Sequence, residues 1–225
     1  MRHAALLALA LALPAPAMAE PQVFEMRLGG RAIGTLTYDA SDAGAGWTTN
    51  LDNTPLGVAD GVFAASSAPV TTTTGEDALR YRGVTETSRR NRVIEYVHAG
   101  GQVLSFDVTP DEDATNMSVA ARVPLGILDP VEALGRFLDS NGCPAPLRIY
   151  DGRRVVDVTP QGYSVEDGRL VCELDYTVVA GPGPLSPLGI QSLDVPLSYE
   201  QPAAGPAILR EMDVRTGLLG LRVVR

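Results

Sequence analysis

The sequence lacks lysine and is poor in the other residue types on which most enzyme chemistry depends. All 18 of its basic residues are arginine, which excludes a lysine nucleophile, a Schiff base and a lysine general base. It has two histidines, His3 and His98, and no Gly-x-Ser-x-Gly motif. His98 precedes Ala99-Gly100-Gly101, and we interpret it as a polar residue flanking a turn rather than as the base of a hydrolase.

Metal ligands and concentrated positive charge are scarce as well. The acidic run Asp111–Asp113 does not fit a calcium loop, because the glycine and glutamate positions hold Asn116 and Arg122. We interpret this run as a solvated acidic turn. The net charge of −9 makes the chain a poor partner for nucleic acid. We therefore expect no metal, no cofactor and no catalytic residue, with a pair of carboxylates acting on cell-wall polymer as an open alternative.

The first residues carry the features of a secretory signal peptide. Arg2 is followed by the apolar run Ala4–Leu13, and Ala17-Met18-Ala19 supplies the small residues that signal peptidase requires. That run is shorter than the roughly 20 residues of a membrane-spanning helix, and Glu20 stands where a lipid-anchored protein would have cysteine. We expect cleavage after Ala19, export to the bacterial periplasm, and one β-rich domain over residues 20–225 that is not an integral membrane protein.

The chain has two cysteines, Cys143 and Cys172, and export would place them in an oxidising compartment where two thiols usually pair. A zinc site or a redox pair would need closer spacing or histidine partners. A bridge between them would stabilise the fold by about 3.5 kcal/mol in the chain-entropy description. The sequence therefore predicts a structural disulfide.

Most of the chain is typical of short strands separated by glycine, proline, asparagine and aspartate. Asp151-Gly152 and Asp167-Gly168 each predict a hairpin, and a Pro/Gly loop is expected at 181–188. The segment 42–74 has no clear pattern; we expect a short helix over Val58–Ala65 and a strand beginning at Thr71. The other predicted strands are Val23–Leu28, Ala32–Tyr38, Leu79–Thr87, Arg92–Val97, Gln102–Val108, Leu147–Tyr150, Arg153–Thr159, Tyr163–Glu166, Arg169–Val179, Val195–Gln201, Ile208–Arg215 and Leu219–Val224.

One helix is predicted, at about residues 129–141. Asp129 suits the capping position, Pro130 suits the first helical position, and Glu132 completes a capping box. Gly142 follows as the stop signal, and Val131, Leu134, Phe137 and Leu138 form an apolar face. About ten strands and one helix predict a mainly β fold, in which the helix packs on a strongly bent antiparallel sheet or a partly closed β-barrel or spiral.

Two arginine groups are the candidate binding residues, Arg89-Arg90 with Arg92 and Arg153-Arg154. Guanidinium groups bind carboxylates and phosphates through two hydrogen bonds. Charged strand residues usually face water or pair with acids across the sheet, and we favour that interpretation here. The residues that we assign to ligand or partner contact lie on the hairpin at the second group: Tyr150, Asp151, Arg153 and Arg154.

Several features between residues 123 and 176 occur together: Val123–Gly126, Asp129–Leu134, Cys143, Ile149–Arg154 and Cys172. They resemble a bacterial periplasmic family catalogued as domain of unknown function 3108, which shares an Asp-Pro-x-x-Ala-Leu helix start, a Phe-Asp-Gly-Arg-Arg-like hairpin and two cysteines. Gly30 and Gly34 are similar to its Gly-x-x-x-Gly strand pair. Tyr150 replaces the family's usual Phe. Val155-Val156 replaces the basic and aromatic residues that usually follow the arginine pair in the family. The resemblance implies a periplasmic β fold and no established activity.

More loosely, an exported, disulfide-linked bent sheet is similar to the β-spiral envelope-integrity proteins of alphaproteobacteria and to half-open barrels that carry lipoproteins. A likeness at the level of the fold is poor evidence for a shared function. We interpret the chain as a non-catalytic cell-envelope protein, a binding or structural module whose partner is an envelope component or an apolar or anionic ligand. The alternatives are a carrier of a lipid or other apolar molecule, and a cell-wall hydrolase that uses carboxylates.

Overall fold

The computed structural model describes residues 20–57, 60–183, 189–217 and 219–225. The predicted signal peptide with its cleavage site, and part of the predicted loop at 181–188, lie outside the described residues. Within them the chain forms fourteen strands and one α-helix, α1 (Pro130–Leu138). The strands are β1 (Gln22–Leu28), β2 (Arg31–Ser41), β3 (Gly44–Leu51), β4 (Gly61–Thr71), β5 (Asp77–Thr87), β6 (Asn91–Ala99), β7 (Gln102–Thr109), β8 (Leu147–Tyr150), β9 (Val155–Glu166), β10 (Arg169–Ala180), β11 (Ser192–Asp194), β12 (Leu197–Glu200), β13 (Ile208–Thr216) and β14 (Leu219–Val224).

The strands form one antiparallel sheet that bends back towards itself without closing. Its order is β7-β6-β5-β4-β3-β2-β1-β14-β13-β11-β10-β9-β8, and β12 pairs with both β10 and β13. Seven successive strands from β1 to β7 therefore form a meander, and β14 joins it to the C-terminal half through β1. The predicted mainly β fold, a strongly bent sheet with one packed helix, is confirmed.

The two edges of the sheet, β7 and β8, are bridged by the segment 110–128. Gly126 and Ile127 donate backbone hydrogen bonds of 2.9 and 3.1 Å to the Gly101 carbonyl beside β7. Leu128 donates to the Arg148 carbonyl of β8 at 2.8 Å and accepts from the backbone of the same strand. This segment satisfies edge groups that would otherwise be unpaired, so the fold is barrel-like with a non-strand seam.

Helix α1 begins as predicted and ends earlier than predicted. Asp129 accepts hydrogen bonds from the backbone of Val131 and Glu132, and Glu132 bonds back to the Asp129 backbone, which is a complete capping box. The last helical residue is Leu138, with Asp139 as the C-terminal cap, so the expected end near residue 141 is wrong. The chain must leave the helix there to bring Cys143 to β10.

The predicted disulfide joins Cys143 to Cys172 across a Cα–Cα distance of 5.4 Å. Cys172 is fully buried on β10, on the inward face that the alternation of that strand indicates. Both predicted Asp-Gly hairpins are present: Ile149 pairs with Val156 across the first, and Arg169 pairs with Glu166 across the second. The two strands expected between these turns are one continuous strand, β9, which a register shift near Pro160 accommodates.

The segment 42–74 contains two strands where we expected a short helix. Gly61–Ala65 belongs to β4, so the helix predicted for Val58–Ala65 is wrong in its described part, residues 60–65. Thr71 ends β4 rather than beginning a strand. The reason is that β3 and β4 line a cavity with Trp47, Phe63 and Ala64. A strand that faces open space needs no regular run of large apolar residues, which is the signal that marks an ordinary core strand.

Candidate functional site

The concave side of the sheet encloses a cavity of about 890 Å³. Most of its lining is apolar and comes from strands in both halves of the sheet, together with one face of α1. Ala133, Leu134 and Phe137 of the helix face the cavity, whereas Val131 and Leu138 are buried in the core. The apolar face predicted for α1 is therefore divided between the core and the cavity.

The N-terminus of α1 is anchored inside the barrel by a buried polar cluster. Asp129 is fully buried, and its Oδ1 accepts the two helix-capping hydrogen bonds. Its Oδ2 accepts a hydrogen bond of 2.5 Å from the Ser67 hydroxyl on β4 and lies 3.2 Å from His98 Nε2 on β6. The cluster thus fixes the helix to two strands near one end of the cavity.

His98 is not the exposed turn residue that we expected. Its side chain is only 3 % exposed, because the alternation of β6 places it on the same inward face as Ile94 and Tyr96. Ser67 and His98 both contact the same oxygen of Asp129. In a hydrolase triad the histidine would lie between the serine and the aspartate, so this arrangement is an anchor and not a triad.

The same cluster has the composition of a metal site but not its free ligand atoms. Ligand atoms of His98, Asp129 and Glu132 lie within 4.8 Å of one another. Both oxygens of Asp129 already serve the capping and anchoring contacts, and Glu132 Oε2 accepts from the Asp129 backbone at 3.1 Å. Burial raises the pKa of the Glu132 carboxyl, and the neighbouring Asp129 carboxylate adds to that shift. We therefore interpret the cluster as the helix anchor alone.

The arginines of both predicted groups meet at another part of the cavity lining. Arg90 and Arg92, at the turn into β6, lie with Arg153 and Arg154, which follow β8. Arg89, the remaining member of the first group, is exposed. We call Arg90, Arg92, Arg153 and Arg154 the arginine cluster.

Two aspartates accompany the arginine cluster. The carboxylate oxygens of Asp113 lie 3.3 Å from Arg90 and 3.3 Å from Arg92, and Asp151 lies 3.0 Å from Arg154. Asp113 is 7 % exposed, so the interpretation of Asp111–Asp113 as a solvated turn is wrong at this residue. The ion pairs explain why an aspartate is buried here, since a buried charge needs a partner.

Two ion pairs of the cluster are poorly aligned as hydrogen bonds: Arg92 Nε faces Asp113 at 3.3 Å, and Arg154 Nε faces Asp151 at 3.0 Å. Within the described part of the chain, the Nε atoms of Arg92 and Arg154 are buried and lack a hydrogen bond of acceptable geometry. Burial is the main cause that lowers the pKa of Arg92 and of Arg153. The charge of Arg153 adds to the shift at Arg92, and that of Arg154 adds to the shift at Arg153. The arrangement is therefore electropositive and incompletely satisfied.

Three of the four predicted contact residues line the cavity. Asp151, Arg153 and Arg154 are there, and the Asp151 side chain accepts the backbone N–H of both arginines at 2.9 Å. This local turn directs the two guanidinium groups. Tyr150 lies in the core instead: its side chain is fully buried, and its hydroxyl donates to the Met117 carbonyl at 2.7 Å.

Some features of this site were not predicted from the sequence. Arg92 was named as a candidate binding residue, but its inward orientation was not predicted. It shares its strand face with Ile94 and Tyr96, so the alternation of β6 was a usable signal. Asp113 carried no comparable signal, because the contact that buries it joins segments far apart in the chain. Trp47 and Phe63 were not predicted as lining residues, because β3 and β4, the strands that carry them, were not predicted either.

Comparisons with known proteins add a similarity of fold. No protein-family model matches the chain, and no curated protein matches it. Among solved structures, the chain is similar to a β-barrel-like protein of domain of unknown function DUF1849 from Brucella abortus, with 13 % identity, a TM-score of 0.47, and coverage of 93 % of this chain and 96 % of that one. None of the described helical segments has the length and apolar character needed to cross a membrane. The resemblance to domain of unknown function 3108 stays a prediction.

Proposed function

We propose that the chain is a non-catalytic binding protein that holds the apolar part of a small ligand in the cavity inside its curved sheet. The observation that carries the proposal is the cavity, whose volume of about 890 Å³ lies within the roughly 300–1,000 Å³ typical of small-molecule sites. Unfilled apolar space costs stability in proportion to its volume. A purely structural module would gain by closing it, so its presence supports binding.

The contacts of the buried acids favour binding over the hydrolase alternative. A glycosidase needs two carboxyl groups that face the substrate with space between them. Asp129 and Glu132, the two acids at the N-terminus of the helix, form its capping box. These carboxylates support the wall of the cavity, and we assign them no chemical step.

We also propose that the protein acts in the periplasm, as a member of the family catalogued as domain of unknown function 3108. The signal-like segment before Glu20 and the bridge between Cys143 and Cys172 support export to an oxidising compartment. The Asp-Pro-x-x-Ala-Leu helix start and the Asp-Gly-Arg-Arg hairpin support the family. In that compartment, a barrel with an open lumen is suited to carrying an apolar envelope component.

The proposal is tested by native mass spectrometry of the full chain, expressed in a bacterium with its own N-terminal segment and purified without denaturation. We expect a chain that begins at Glu20, with one small molecule bound per chain that is released on unfolding. A protein recovered without any adduct, which also fails to bind an added apolar fluorophore, would contradict the binding function. A protein that still begins at Met1 and is found in the cytosolic fraction would contradict export but not the binding function.

A further inference from the structure

We infer that the cavity takes an amphiphile with an anionic headgroup, a carboxylate or a phosphate, which the arginine cluster binds while α1 and the sheet cover the apolar tail. The inference rests on the proposed function and deepens it, because it states which chemical group of the ligand is charged and where that group lies.

The arginine cluster lies far from the N-terminus of α1 along β6. Arg92 and His98 lie on the same inward face of β6, six residues apart. At about 3.4 Å per residue, that separation is roughly 20 Å along the strand. His98 contacts the helix anchor at Asp129. The arginine cluster and the N-terminus of α1 are therefore at opposite ends of the strand, with apolar lining between them.

The cluster carries more positive than negative charge. Four guanidinium groups stand against the carboxylates of Asp113 and Asp151, and among the described residues that line the cavity, Asp151 is the single carboxylic acid. Arg90 is half-exposed, but the other three arginines are partly buried, and partly buried positive charge in excess is costly unless an anion compensates it. This local charge is the opposite of the protein's net charge of −9, so it is a feature of the site and not of the overall composition.

The guanidinium groups of Arg92 and Arg154 are only partly matched by protein acceptors. Their side chains are 13 % and 14 % exposed, and their buried Nε atoms face Asp113 and Asp151 at 3.3 and 3.0 Å, without a well-aligned hydrogen bond in the described chain. A guanidinium group binds a carboxylate or a phosphate through two parallel hydrogen bonds. Each guanidinium group carries four N–H donors besides Nε–H, and charged oxygens entering from the lumen would accept from these.

The rest of the cavity lining is largely apolar. It includes Trp47, Phe63, Leu134, Phe137 and Met212. An inorganic anion would leave this apolar surface uncovered, whereas a neutral apolar molecule would leave the guanidinium groups uncompensated. An amphiphile with one anionic end satisfies both parts of the same cavity.

The test compares four probes on the full-length oxidised protein: dodecyl phosphate, dodecanoate, dodecanol and inorganic phosphate. Each probe competes with an apolar fluorophore for binding, and each amphiphile is used below its own aggregation threshold. Arg92→Gln combined with Arg154→Gln is the test variant. Arg210→Gln is the matched control, because Arg210 pairs with Glu200 at 2.7 Å and is not one of the described cavity-lining residues. Arg90→Gln, at a half-exposed side chain, serves if the double variant does not fold.

We expect the wild-type protein to bind dodecyl phosphate or dodecanoate about tenfold or more tightly than dodecanol, since hydrogen bonds to charged groups contribute that much. The double variant should lose this preference and keep its affinity for dodecanol. The Arg210→Gln protein should behave as wild type. Arg90→Gln should reduce the preference in part.

Three results would overturn the inference in distinguishable ways. Equal affinity for dodecanol and the two anionic amphiphiles would remove the role of the arginines and leave the binding function intact. Competition by inorganic phosphate as strong as that of dodecyl phosphate would show an anion site without an amphiphile. Failure of every probe with a twelve-carbon tail would contradict the proposed function itself.

Discussion

A single carboxylate, that of Asp129, connects the helix, two strands and one end of the cavity. Its Oδ1 caps α1, while its Oδ2 bonds to Ser67 and contacts His98. A polar group this buried needs hydrogen-bond partners, and both oxygens of Asp129 have them. His98, which we considered as a hydrolase base and rejected, therefore serves the architecture together with the predicted helix cap Asp129.

The role of Asp129 predicts the effect of its removal. Asp129→Ala loses the helix cap, which costs about 1 kcal/mol, and leaves the buried Ser67 and His98 without their acceptor, which adds roughly 1–3 kcal/mol. We expect a total loss of about 2–4 kcal/mol in the free energy of unfolding, measured by urea denaturation. Asp139→Ala, at the exposed far end of the same helix, is the control. Equal losses in both variants would contradict the anchor.

Among the elements, the turn between β8 and β9 is the most constrained. It carries Arg153 and Arg154 into the cavity lining, and it packs directly against β6. Gly152 has φ +88°, and a Cβ atom at this position would come within 2.3 Å of Ile94 Cγ2. A glycine is thus required here by both the backbone conformation and the close contact with β6.

A pair of glycine variants separates these two requirements. Gly152→Ala and Gly168→Ala change turns with similar backbone angles, but Gly168, with φ +76°, has no neighbour within 4 Å of its added Cβ. We expect Gly152→Ala to lower the free energy of unfolding by about 1–3 kcal/mol more than Gly168→Ala, the usual cost of overpacking. Adding Ile94→Ala should reduce that difference. An equal effect of the two glycine variants would mean that the turn does not touch β6.

The disulfide links the segment after α1 to β10, and its loss has a specific signature. Cys143→Ser should lower the free energy of unfolding by about 3.5 kcal/mol in oxidising buffer, the value of the chain-entropy term for this loop. Cys143 is the better position to change because Cys172 is fully buried. In reductant, the variant and the wild-type protein should unfold at the same temperature. A loss of the same size in both buffers would show that the bridge contributes nothing.

The elements that were predictable are those whose signals are local. The capping residues at Asp129, the Asp-Gly turns and the alternation around Cys172 each act within a few residues, and the structure has all three. The strands that were not predicted are β3 and β4, which line the cavity. They carry small and polar residues because part of their surface faces open space. The burial of Asp113 arises from ion pairs between segments far apart in the chain, which no local pattern encodes. The burial of His98 follows the alternation of β6, which we did not extend to that residue. The arginine cluster was partly predictable, from the face that Arg92 shares with Ile94.

At the scale of the whole molecule, the fold is a bent sheet whose two edges are sealed by a non-strand segment and whose interior is incompletely filled. The helix that a typical small domain would use to complete its core is fixed here at one side of an open lumen. The anchor at Asp129 and the disulfide hold α1 in that position, and the arginines converge elsewhere on the same cavity. The central claim is therefore that this lumen is a ligand site and not a packing defect.

The most direct test of that claim is the stoichiometry of an apolar fluorophore titrated into the oxidised protein. Val214 lines the cavity, and Val214→Trp fills part of the lumen. Val179→Trp makes the same change at a residue that is 50 % exposed and is not a described lining residue of the cavity. We predict saturation at one fluorophore per chain for the wild-type and Val179→Trp proteins, and loss of binding for a folded Val214→Trp protein. Unchanged binding by Val214→Trp would contradict the account.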